Sequence, residues 1–93
     1  MITLMATLVA RPGKEKMLAE FCAQLAKKVQ AEEGCLMCIP HVYAEEPQQI
    51  VFLEKYKDQA SLEAHAQTSH MQEASQELRK LIAGAWNTFL LEL

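Results

Sequence analysis

Residues Ile2 to Val9 are apolar at almost every position, with only Thr3 and Thr7 interleaved. Strict alternation would mark a strand with one wet face, whereas a nearly continuous run marks a central strand buried on both. The C-terminal run Trp86 to Leu93 has the same character, with Trp86, Thr88 and Leu90 on one face and Phe89, Leu91 and Leu93 on the other. A chain of 93 residues makes one domain and buries only a modest share of its surface by itself. Two strands that want cover on both sides therefore imply a sheet with helices on one face and a partner on the other.

The segments between these strands supply the helices. Arg11-Pro12-Gly13 ends the first strand, and from Lys14 to about Glu32 the residues Leu18, Phe21, Cys22, Leu25 and Val29 recur at helical spacing. Gly34 suits the C-terminal cap of that helix, where a left-handed conformation carries no side-chain penalty. Cys35 to Tyr43 reads as a strand placed at a sheet edge by Pro40, which cannot donate to a ladder. The polar turn from Ala44 to Gln49 returns the chain into Ile50 to Tyr56, giving a hairpin. Asp58 is positioned to cap a short helix through His65. Ser69 and Gln72 fit a capping box for a further helix whose Met71, Ala74, Leu78, Leu81 and Ile82 share a face and which ends near Gly84.

The order strand, helix, strand, strand, helix, strand predicts an α+β, ferredoxin-like plan: a four-stranded antiparallel sheet with helices on one face, in a single domain over residues 1–93. The apolar face opposite the helices is too large to stay wet, and a homodimer joined sheet to sheet is expected.

Composition narrows the partners. The hydrophobic fraction is 51% against 23% charged, which suits a folded globular chain. Basic residues are scattered in ones and twos under a net charge of -3, which argues against nucleic acid as a ligand. No apolar run reaches bilayer-spanning length, and no secretory pattern opens the chain, so a cytoplasmic location with reduced thiols is expected for its three cysteines. Cys35-Leu36-Met37-Cys38 forms a CxxC, but residues three apart in a strand point to opposite faces. These thiols read as small buried hydrophobes rather than as a metal or redox pair.

Chemistry concentrates after the third strand. Imidazoles titrate near neutral pH and can accept or donate a proton there. His65 shares a face of the short helix with Leu62 and should look toward the sheet, while His70 opens the next helix. Their spacing of five across a helix break does not fit a metal pair. Glu54 runs in phase with Phe52 and Tyr56, and a carboxylate in a buried central strand should meet a histidine, hydroxyl or other donor. Phe21, Phe52, Tyr56 and Trp86 could wall an apolar substrate pocket. His41, on the edge strand, suits a solvated or dimer-contact role. The chain has three glycines and no glycine-rich phosphate loop, so no nucleotide or flavin fingerprint is present, nor any nucleophile elbow. With no cofactor expected, the substrate's own electrons must drive any reaction.

Four segments in order, Arg11-Pro12-Gly13-Lys14-Glu15, Glu32-Glu33-Gly34-Cys35-Leu36, Glu54-Lys55-Tyr56-Lys57-Asp58 and Leu62-Glu63-Ala64-His65 followed by Gln67-Thr68-Ser69-His70-Met71, resemble the antibiotic-biosynthesis monooxygenase superfamily over nearly the whole chain. The likeness is closest to its small quinol-monooxygenase branch. The resemblance implies a dimeric α+β barrel and a cofactor-independent oxygenase acting with dioxygen on a reduced quinol or similar aromatic. His65 would then be the base, His70 the second candidate, Glu54 the orienting group, and Tyr56 and Phe52 pocket wall. Haem-degrading relatives would want an asparagine, a tryptophan and a ligating histidine where Thr7, His65 and Ser75 stand, so that activity is rejected. Two other readings remain: isomerisation of a small phosphorylated signalling sugar, and a non-catalytic dimeric domain that binds hydrophobic metabolites.

Overall fold

The computed structural model covers residues 1–93. Its elements run β1 (Ile2–Ala10), α1 (Glu15–Gln30), β2 (Cys35–Val42), β3 (Gln49–Tyr56), α2 (Gln59–Ala66), α3 (Ser69–Leu81) and β4 (Ile82–Leu90). The strands form one sheet in the order β2-β3-β1-β4, every neighbouring pair antiparallel. The continuous apolar run of β1 is thus central, and the Pro40 strand lies at an edge, where its missing N–H costs no ladder bond.

The core lies between the sheet and the helices. Leu18, Cys22, Leu25, Ala26 and Val29 of α1 and Ala74 and Leu81 of α3 pack with Ala10, Cys38, Ile50 and Phe52 from the strands. This is the face predicted from helical periodicity. No helix is long and apolar enough to cross a membrane.

The opposite face is uncovered. Register aligns Thr7 with Val51 on one side and Trp86 on the other, and Met5 with Leu53 and Thr88; His41 and Ile39 continue these rows on β2. Cross-strand partners share a face. Trp86, Ile39 and Leu90 are 50%, 45% and 43% exposed, so an apolar surface runs across all four strands without cover.

Four local expectations are corrected. The α1 C-cap is Ala31 in ordinary right-handed geometry, and the single glycine at positive φ is Gly13, at 81°, in the turn after β1. Gly34 is required for another reason: a Cβ there would overlap Oγ and Cβ of Ser61 in α2. Gly34→Ala should therefore destabilise the fold by about 1–3 kcal/mol, the usual cost of forced overpacking, measured by urea denaturation. Restoring space with Ser61→Gly should recover part of that loss.

The α3 cap is Thr68, not Ser69. Its Oγ1 accepts the Met71 N–H at 3.3 Å and donates to the His65 carbonyl at 2.8 Å, which ties the end of α2 to the start of α3. The last strand begins at Ile82, directly after α3, and ends at Leu90. Gly84 pairs with Val9 inside the ladder, past a register shift at Val9/Ala10, and so ends no helix.

The CxxC cysteines do not point to opposite faces. An irregularity between Cys35 and Met37 leaves Cys35 opposite Tyr56 and Cys38 opposite Glu54, both on the buried side. Burial pushes the Cys22 and Cys38 thiols up to about 12, which keeps them protonated and poorly nucleophilic.

Candidate active site

Three elements meet at one end of the sheet. The segment after α1 brings Glu32, the last turn of α2 brings His65, and the first turn of α3 brings His70. The Glu32 carboxylate faces His65 Nδ1 with both oxygens at 3.0 Å and His70 Nε2 with Oε2 at 2.5 Å. An ionised carboxylate only accepts hydrogen bonds, so each ring nitrogen facing it carries hydrogen. This fixes the neutral His65 tautomer: Nδ1 donates to Glu32, and Nε2, which no protein group bonds, keeps its lone pair.

The His65 ring rests on Tyr56, with centroids 5.0 Å apart and planes tilted by 41°. Tyr56 is fully buried, and its hydroxyl donates to Glu54 Oε1 at 2.5 Å. Burial raises the Glu54 pKa, opposed by the Tyr56 hydrogen bond and the neighbouring His65 and reinforced by the negative Glu32. The Tyr56 hydroxyl is held protonated well above the usual phenol range, chiefly by burial and then by Glu54.

Folding thus works against ionisation of Glu54. The favourable term is fully present below the ordinary carboxyl value of 4.5 and is lost as pH rises through the raised folded value. Glu54→Gln keeps an acceptor for Tyr56 but cannot ionise. Its stability relative to the parent chain should rise as pH increases from about 4.5 through the raised folded value and level off above it, as followed by urea denaturation at each pH.

A cavity opens beside this cluster, between the sheet and α2 and α3. Its inner chamber, about 90 Å³, is walled by Leu8, Leu25, Val29, Phe52, Met71 and Leu78. The wider outer part, about 590 Å³, is bounded by Leu4, Leu62 and Phe89 with Gln72, Ser75 and Asn87 at its edge. Ala6, Leu8, Glu54, His65 and Met71 line both parts, so the two adjoin along one wall. An apolar recess of this size with a few polar groups is the usual form of a small-molecule site. No three His, Cys, Asp or Glu side chains come together to hold a metal.

The sequence-predicted residues distribute unevenly. His65, Glu54 and Phe52 reach the cavity, and Tyr56 supports two of them from beneath. Phe21 lies instead in a separate groove between α1 and α3, beside Gln24, Lys28 and His70. Trp86 is on the uncovered face of the sheet, opposite Thr7, and cannot wall this cavity. Glu54 bonds Tyr56 and does not orient an imidazole; Glu32 does, for both histidines. Sequence reasoning passed over Glu32. The available signal was a pair of carboxylates just past a helix C-terminus, where the dipole disfavours negative charge unless a cationic or N–H partner is near.

Residues 1–77 match the family model described as antibiotic biosynthesis monooxygenase. "Probable quinol monooxygenase YgiN" of Escherichia coli K12 is 33% identical over 90 residues, covering 85% of this chain and 86% of that protein. The crystal structure of PA3566 from Pseudomonas aeruginosa superposes with a TM-score of 0.93 at 29% identity, over 99% of this chain and 93% of that one. Protein SO0527 from Shewanella oneidensis, at 24% identity, shares the fold with a TM-score of 0.90 over 96% and 87% of the two chains.

Proposed function

Because this chain belongs to the antibiotic biosynthesis monooxygenase family, we propose that it is a cofactor-independent monooxygenase that oxidises a quinol with dioxygen, using His65 as base. The observation that carries this reading is His65 at the wall of an apolar cavity, with Nδ1 held by Glu32 and no protein partner at Nε2. The quinol relative adds the substrate class.

Nε2 takes a phenolic proton, and the developing imidazolium is paired with the Glu32 carboxylate at contact distance. The phenolate passes one electron to dioxygen, and the resulting radical pair combines at the ring carbon beside the oxygen. The peroxide regains a proton from His65 and then loses water as the carbon-bound hydrogen leaves, converting that carbon to a carbonyl. One dioxygen oxygen enters the product and the other leaves as water, so a dihydroxynaphthalene yields a hydroxynaphthoquinone with atoms balanced. The apolar chamber keeps water from the charged intermediates. His70 shares Glu32 but faces the α1/α3 groove, so it acts by holding the carboxylate in place.

A phosphorylated sugar would need a cation, and neither part of the apolar cavity is lined by lysine or arginine; Lys57 lines instead a separate polar recess that Glu32 and His65 also border. The uncovered sheet face suits a second copy of the chain. Trp86→Glu, which puts a charge on that apolar face, should convert a dimer to a monomer in sedimentation velocity.

The test is oxygen uptake by purified protein with a panel of naphthohydroquinones, using labelled dioxygen and an autoxidation control. Uptake above the control with one labelled atom in the product is expected. No uptake above the control with any member of the panel would overturn the reading.

A further inference from the structure

Glu54 is the one carboxyl group in the inner chamber, and it is not used by the proton transfer described above. The residue is buried, with 7% of its surface exposed. Its Oε1 accepts the Tyr56 hydroxyl, and no protein group bonds Oε2. No side-chain oxygen or nitrogen sealed inside the protein is left without a partner, so Oε2 must be reachable from the cavity. A buried carboxyl oxygen open to an apolar chamber is costly unless a ligand supplies the missing hydrogen bond.

We propose that Glu54 selects aromatic substrates with two hydroxyl groups: one gives its proton to His65 Nε2, and the second hydrogen-bonds Glu54 Oε2. The proposal rests on the quinol reading and deepens it, since it assigns the second oxygen of the substrate to a named side chain. A hydroxyl can donate to the carboxylate or accept from the carboxylic acid, so either state of Glu54 is served. An ether oxygen cannot donate to the carboxylate and can only accept from the acid, so the discrimination belongs to the ionised form of Glu54. Tyr56 is the positioning residue here, because its hydroxyl fixes Oε1 and leaves Oε2 turned to the cavity.

The experiment compares 1,4-dihydroxynaphthalene with 4-methoxy-1-naphthol, both of which can lose a phenolic proton and take up oxygen beside it. For the parent protein the diol should be favoured in kcat/KM by about 10–100-fold, the worth of one hydrogen bond to a charged group. In Glu54→Ala the diol-to-monoether ratio should collapse toward the ratio of the two uncatalysed rates, and Tyr56→Phe, which releases Oε1, should reduce the diol preference to an intermediate value. Glu54→Leu carries the same test should the alanine variant not fold. Equal losses for both substrates with an unchanged ratio would overturn the proposal, since damage to packing lowers both together. Binding of the two compounds under argon, followed by isothermal titration, separates this from failure of the oxygenase reading. A diol preference in binding that Glu54→Ala removes would stand even if no oxygen were consumed, and its absence would overturn the selection itself.

Discussion

His65→Ala is expected to lower kcat for quinol oxidation by about 10²–10⁴-fold, the range that a positioned general base supplies. The residual rate should approach that of bound quinol reacting with oxygen after spontaneous ionisation. Alanine removes three things together: the Nε2 acceptor, the imidazolium that would pair with Glu32, and the ring that covers Tyr56. Only the first two bear on the chemistry, and His65→Gln separates them from the third by retaining bulk. Both variants should fall in kcat with a smaller change in KM, because the apolar chamber that binds the ring is left standing. A variant that kept most of its kcat would move the base elsewhere. Thermal melts check that the loss is not one of folding.

The parts of this molecule that were legible in the sequence are those set by period and composition. The nearly unbroken apolar run of β1 required a central strand, Pro40 required an edge, and the 3.6-residue recurrence of Leu18, Cys22, Leu25 and Val29 fixed the buried face of α1. Trp86 shows the limit of the same reasoning. Alternation correctly separates Trp86, Thr88 and Leu90 from Phe89, but it cannot say which set lies under the helices. Cys35 and Cys38 show another limit, because one irregular residue in β2 inverts the phase between them and leaves no mark in the spacing. Gly34 was read as a cap when its function is to admit Ser61 from an element 27 residues further on, a contact that exists only after packing.

The site follows the same division. Imidazole chemistry after β3 could be read from residue type, and the inward aim of His65 from its helical phase. The identity of its partner could not, since Glu32 and His65 are 33 residues apart and meet only when α2 packs beside the segment that joins α1 to β2. Glu54, a carboxylate on a buried face, attracted the role instead. Its near neighbour Tyr56, two residues along the same face, had already met that need.

Glu32→Gln should cost roughly 10²–10⁴-fold in kcat, as carboxylate-to-amide changes behind a catalytic imidazole do. The carboxylate accepts from His65 Nδ1 and from His70 Nε2, whereas a carboxamide offers one accepting oxygen and one donating nitrogen. If the amide nitrogen turns to His65, Nδ1 must accept and the proton moves to Nε2, which is then no base. If it turns to His70, the tautomer of His65 survives but its imidazolium loses the adjacent negative charge. Either arrangement slows proton abstraction without altering the apolar walls, so KM for the quinol should move little. Glu32→Asp retains the charge at a shorter reach and should fall between the parent and the amide. His65→Ala combined with Glu32→Gln should be about as slow as the slower single variant, because a carboxylate that works through an imidazole has nothing to contribute once the ring is gone. Strictly multiplicative losses would show instead that Glu32 acts on the substrate independently of His65.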